Sequence, residues 1–152
     1  MQVYRITHSK WSEELSASGY PARWNSAGIF VIYCAASRAL ACLENVVHMG
    51  AVDLGASFVI MIINIPDDIK IPGLKSGEFP EGWKVNGESG YEICRPIGDK
   101  WARESASAVL KVPSAIVPGD SNYLINPGHP DFHRITIQSA EPFLFDTRIK
   151  GT

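Results

Sequence analysis

The sequence predicts an α+β fold built on a mixed or antiparallel β-sheet with a few flanking helices, and three observations carry that reading. Short runs rich in β-branched and aromatic residues recur along the chain, at 2–6, 29–34, 58–65, 108–112, 115–117, 133–137 and 143–145. Helical patterns number only two or three and do not alternate regularly with the strands. Neither a GxGxxG nor a GxxxxGKS/T turn occurs, which disfavours a doubly wound nucleotide fold.

Taken in order, residues 2–6 alternate and read as a short strand that brings Tyr4 and Arg5 to its end. Residues 9–20 are polar and lead to Pro21, so they read as a loop. The run 29–34 has the composition of a strand buried on both faces. Ser37 is suited to cap a helix across 38–49, and Gly50 to stop it. On that helix Leu40, Leu43, Val46 and Val47 share one face, with Glu44 just beside the stripe. A glutamate at such a margin is more often a solvated charge than a catalytic group.

Residues 58–65 form a second buried-strand candidate, stopped by Pro66. The stretch 72–90 is dense in Gly, Pro, Ser and Glu around Trp83 and reads as an exposed excursion or flap. Pro96 is placed to open a helix through Trp101 and Arg103. Residues 122–127 read as a polar turn.

With 152 residues the chain is long enough for one domain, expected across 1–152, that buries about 70% of its unfolded surface. A net charge of −2 argues against long-range binding of nucleic acid or an anionic membrane. No basic segment followed by an apolar run stands at the start, so no signal peptide is expected, and the apolar stretch 58–63 is too short to span a bilayer. Cys34, Cys42 and Cys94 are odd in number and not closely paired, as for free thiols in a reducing cytoplasm.

Several chemistries are disfavoured. His129, Asp131 and His133 are close in sequence, but Pro130 keeps the histidines off a shared helical face, so no metal site is expected. No GxSxG elbow exists, and Ser114 and Ser121 lie in other contexts. Cys34 and Cys42 sit in apolar runs that disfavour a thiolate. What remains is a set of arginines, tyrosines, one glutamate and one serine. Arginines clamp phosphates, a tyrosine stacks on a flat heteroaromatic ring, and a carboxylate stabilises an oxocarbenium-like centre. Together these describe cleavage of an N-glycosidic bond in a dinucleotide, with nicotinamide as a good leaving group.

The chain resembles the RES-domain family, most of whose members are toxins of bacterial Xre-RES toxin–antitoxin pairs. The segments that carry the resemblance are Val3-Tyr4-Arg5, Arg23-Trp24-Asn25, Val31-Ile32-Tyr33, Leu43-Glu44, Leu110-Lys111-Val112-Pro113-Ser114 and the run from Asn122 through Asn126-Pro127-Gly128-His129-Pro130 to Phe132. The resemblance implies an ADP-ribosyltransferase-like fold and attack on NAD, as substrate and without a metal. NAD is then depleted by hydrolysis or phosphorolysis, or its ADP-ribose is passed to a protein. Arg5 and Arg23 would hold the NAD phosphates or ribose, with Tyr4 beside them. Tyr33 would stack on nicotinamide and Glu44 would be the catalytic carboxylate. Ser114 would hydrogen-bond near the nicotinamide ribose, and Asn126 would shape the same pocket.

Many family members have glycines before the Arg-Trp-Asn motif, where this chain has the stiffer Pro21-Ala22. The resemblance also implies a partner, an Xre-type antitoxin with a helix-turn-helix domain that covers the active site in a hetero-oligomer. Each site residue has a plainer reading: Arg5 and Arg23 as surface cations, Tyr33 as a core tyrosine, Ser114 as a turn residue. A non-catalytic module that binds a nucleotide or a partner's tail would use the same pocket.

Overall fold

The computed structural model describes residues 1–48 and 57–150. Its strands are β1 (Gln2–His8), β2 (Ile32–Ala35), β3 (Phe58–Asn64), β4 (Val109–Pro113), β5 (Ser121–Ile125) and β6 (Thr136–Phe143), and its α-helices are α1 (Arg38–Val46) and α2 (Glu88–Arg103). The six strands form one sheet in the order β4-β5-β2-β1-β3-β6, with antiparallel neighbours throughout.

Strand alternation divides the core between the two faces of this sheet. Val3, Ile32, Cys34, Met61, Ile63 and Ile125 point to one face. Their neighbours Ile6, Ala35, Ile60 and Ile62 point to the other, where Leu40, Ala41 and Val46 of α1 cover them. On that second face, Cys94 and Trp101 of α2 pack with Trp24 on Leu110, Val112 and Leu124. Leu40 is 1% exposed, and burying such a side chain contributes about 1.5–3 kcal/mol.

The sheet is nearly divided in two. The β1–β3 ladder runs from Gln2↔Asn64 to His8↔Phe58, and β2 pairs with β5 along its length. Between β1 and β2 the single register pair is Tyr4↔Ala35. Two three-stranded halves thus meet at one bridge, and the next residues along these strands, Arg5 and Cys34, both line a cavity.

Several expected elements differ. β2 starts at Ile32 rather than 29, because Asn25 Nδ2 donates to the Ile29 carbonyl at 2.9 Å and holds the preceding residues in a loop. Ser37 caps α1 as expected, its hydroxyl accepting from the Leu40 N–H at 3.1 Å, but the helix ends at Val46. The proposed stop at Gly50 lies outside the described residues. Leu43 and Val47 are 41% and 51% exposed, so the buried stripe consists instead of Leu40, Ala41 and Val46. That rotation turns Glu44 inward.

The 72–90 stretch is largely exposed, as expected, but it is pinned to the rest of the protein at Trp83. Trp83 is 4% exposed and packs with Phe79 and Trp24, ring centroids 5.3–6.3 Å apart. Pro96 lies inside α2 rather than at its start, at the expense of one helix hydrogen bond, and the buried face carrying Cys94, Gly98 and Trp101 holds the helix together. Residues 115–117 are a bend, because the Ser114 hydroxyl accepts from the Ile116 and Val117 N–H groups and turns the chain. Residues 121–125 form β5 instead of a polar turn, since Tyr123, Leu124 and Ile125 are all buried between β4 and β2. Pro130–Arg134 is a 3₁₀ helix, so the following strand begins at Thr136 rather than 133 and runs to Phe143, leaving 144–145 outside it.

Candidate active site

The cavity beside the Tyr4↔Ala35 bridge has a volume of about 380 Å³. It takes Arg5 from β1, Arg23 from the turn before β2, Tyr33 from β2 and Glu44 from α1. Ala41, Glu44, Asn45 and His48 all line it, and their spacing of 3, 4 and 7 residues is one helical face.

Glu44 is held from one side. Its Oε1 accepts from Asn122 Nδ2 at 2.5 Å and from Ser114 Oγ at 3.1 Å, while Oε2 has no partner among the described residues. Asn122 reaches it because β5 alternation puts Asn122 on the same sheet face as Leu124. Ser114 is 2% exposed, and its hydroxyl is fully used, accepting from two backbone N–H groups and donating to Glu44. It stands behind the carboxylate and anchors it.

Tyr33 is fixed at its hydroxyl, which accepts from the Trp24 N–H at 3.0 Å and donates to Asn25 Oδ1 at 2.7 Å. Burial raises its pKa above the ordinary phenol value, so the ring stays neutral and presents an aromatic surface to the cavity. Asn25 is 2% exposed and spends its amide on the Tyr20, Ser26 and Ile29 carbonyls, which makes the Arg23-Trp24-Asn25 turn rigid. The Asp99 carboxylate takes the Ser26 N–H and hydroxyl at 2.8 and 2.6 Å and ties the turn to α2.

The two arginines are charged and lack a carboxylate partner among the described residues. Arg5 donates to the Ser16 carbonyl at 2.9 Å, and burial lowers its pKa from the usual arginine value. Arg23 donates to three consecutive carbonyls, Trp83, Lys84 and Val85, and its guanidinium lies 4.9 Å from the Tyr91 ring centroid. Neutral carbonyls orient these cations without cancelling their charge, so the cavity suits an anion.

Tyr4 also lines the cavity, but its hydroxyl turns to Gln2 Oε1 at 3.3 Å and Arg38 lies 5.8 Å from its ring centroid. Asn126 is elsewhere: it is 3% exposed, donates to the Ala102 carbonyl and accepts from the Gly128 N–H, and so braces the end of β5 against the end of α2. Cys34 is buried with its thiol pushed up to about 12, which makes it a poor nucleophile. No cluster of metal-ligating side chains occurs among the described residues.

Sequence reasoning missed Asn122, Tyr91 and Arg95 as residues around this site. Arg95 donates to the Ala22 carbonyl at 2.9 Å, and its guanidinium lies 5.1 Å from the Tyr91 ring centroid. The spacing of Tyr91 and Arg95 was a helical signal, hidden by starting the helix at Pro96. Asn122 was hidden by reading its strand as a turn.

A split antiparallel sheet with a cation-lined cleft and an inward carboxylate defines the class: an α+β protein with a site suited to an anion. The RES domain matches residues 2–146, and the chain belongs to the RES-domain family. It is 38% identical over 154 aligned residues to "Toxin Res" of Photorhabdus laumondii, covering 98% of this chain and 97% of that one. It is 36% identical over 143 residues to the "Prs ADP-ribosylating toxin" of a Sphingobium species, covering 91% and 88% of the two chains. Among solved structures it is similar in fold to a chain of the M. tuberculosis MbcT–MbcA toxin–antitoxin complex, with a TM-score of 0.74 at 18% identity over 94% of this chain and 84% of that one.

Proposed function

We propose that this protein is a toxin enzyme that consumes NAD by breaking the bond between nicotinamide and ribose. The observation that carries this reading is Glu44, one oxygen tethered and the other without a partner among the described residues, in a cleft that also holds Arg5, Arg23 and Tyr33. The two cations attract and position the pyrophosphate, and the Tyr33 ring supports the nicotinamide. As the C1′–N bond breaks, its electron pair neutralises the pyridinium nitrogen and positive charge grows on the ribose. Glu44 stabilises that charge directly or through a ribose hydroxyl. Water or phosphate then takes the ribosyl carbon, and NAD is depleted.

A second reading, transfer of ADP-ribose to a protein side chain, is favoured by the likeness to the Sphingobium ADP-ribosylating toxin. Purified enzyme incubated with NAD, with and without phosphate and with a cell lysate, separates these acceptors by product analysis. Nicotinamide release that Glu44→Ala abolishes while the fold survives is the expected result. Full release by Glu44→Ala would overturn the role of Glu44, and absence of release by the parent protein would overturn the enzyme reading.

The likeness to one chain of a toxin–antitoxin complex supports an antitoxin partner. A helix-turn-helix antitoxin of the Xre type, ending in an acidic or carboxylate-bearing tail, would fit over a mouth containing Arg5 and Arg23. Arginine variants that bind the antitoxin with unchanged affinity would exclude that mode. The enzyme acts in the cytoplasm, where its substrate is, and itself binds neither nucleic acid nor membrane. No helix among the described residues is long and apolar enough to cross a bilayer.

A further inference from the structure

We infer that Asn122 is a positioning residue for the reaction: its side-chain amide fixes Glu44 Oε1 and reserves Oε2 for the ribose. The inference rests on the proposed role of Glu44. The donor distance is 2.5 Å, and the amide is assigned with its nitrogen toward Glu44, because the flipped amide would set its oxygen against the carboxylate. Ser114 donates to the same Oε1 at 3.1 Å, so both protein donors converge on one oxygen.

The other end of the Asn122 amide shows that this contact is not kept for packing. Its Oδ1 is buried and meets no donor among the described residues. A buried acceptor without a partner opposes folding. Asn122 occupies β5 opposite Ala35 on one side and Val112 on the other, where an apolar side chain of the same shape would fit the sheet. The contact that accounts for an asparagine here is the N–H it gives to Glu44.

The experiment compares Asn122→Leu and Asn122→Asp with the parent enzyme. Asn122→Leu keeps the shape and removes both the donor and the orphaned acceptor. Its melting temperature is expected at or above the parent value, while kcat for nicotinamide release falls about ten- to a hundredfold, the range for one lost charge-assisted hydrogen bond, with KM nearly unchanged. Asn122→Asp sets two carboxyl groups against each other so that they share a proton. The acidic limb of its pH–rate profile moves to higher pH, and carboxyl ¹³C titration of the free protein shows one proton retained above the ordinary carboxylate range.

A kcat loss in Asn122→Leu that only follows a lower melting temperature, or two carboxyl groups in Asn122→Asp that titrate independently, would overturn the inference. The titration needs no substrate, so it decides the Glu44–Asn122 pairing even if the parent protein leaves NAD intact. That latter result alone counts against the enzyme reading and, with it, against any catalytic role for the pairing.

Discussion

Tyr33 and Asn25 share a hydrogen bond of 2.7 Å, phenol hydroxyl to side-chain carbonyl, that ties β2 to the turn carrying Arg23. The same hydroxyl accepts from the Trp24 N–H, so one side chain sets both the aromatic wall of the cleft and the position of a cation. Tyr33→Phe keeps the ring and leaves two polar groups without this partner. The expected loss of stability is about 1–3 kcal/mol, read by chemical denaturation, together with a raised KM for NAD as the Arg23 turn loosens.

Alkaline stability follows from a buried thiol and a half-buried phenol. Burial raises the Tyr33 pKa and pushes the Cys34 thiol up to about 12 from 9.0. The folded state therefore holds these protons where the unfolded chain releases them. Stability is complete below the unfolded values and is lost as pH rises through them toward the folded values. Denaturation midpoints should fall from about pH 9 upward. Cys34→Ala is expected to flatten the part of the slope that begins there, and an unchanged slope would remove the thiol as its cause.

Gly98 allows the closest approach between α2 and the Arg23-Trp24-Asn25 turn. A Cβ at that position would lie 1.9 Å from the Trp24 carbonyl oxygen, a backbone atom that cannot swing away. Gly98→Ala should therefore cost about 1–3 kcal/mol or more and displace the turn. Calorimetry should show a lower melting temperature, and NAD cleavage should fall at temperatures where the variant is still folded.

Arg5 is a half-buried cation held by a carbonyl, an arrangement expected to serve ligand binding more than stability. Arg5→Met replaces it with an apolar chain of similar length. The melting temperature is expected to stay level or rise while affinity for NAD, measured by calorimetry in a Glu44→Gln background, falls. A large drop in melting temperature would mean that Arg5 chiefly supports the fold.

Much of the fold was legible because its signals are local. The β-rich runs at 2–6 and 58–65 became strands, Ser37 capped a helix, and the absence of phosphate-loop patterns agreed with an antiparallel sheet. Errors arose where a side chain competed with the backbone pattern. Asn25 kept 29–31 out of the sheet by binding the Ile29 carbonyl, and Ser114 bent 115–117 through its own hydroxyl. Pro96 was tolerated inside a helix because a buried apolar face outweighed one missing hydrogen bond.

By itself the sequence determined the chemistry present: two arginines, a tyrosine and a glutamate in an order and spacing that resemble the RES family. Tertiary structure decided how each is used. It turned Glu44 inward by burying Leu40, Ala41 and Val46 in place of Leu43 and Val47, and it placed Ser114 behind that carboxylate. It moved Asn126 away from the cleft and supplied Asn122 in its stead. The physical reason is that hydrogen bonds between residues 70 and 78 positions apart depend on sheet register and helix rotation, and both are set by which apolar faces are buried together.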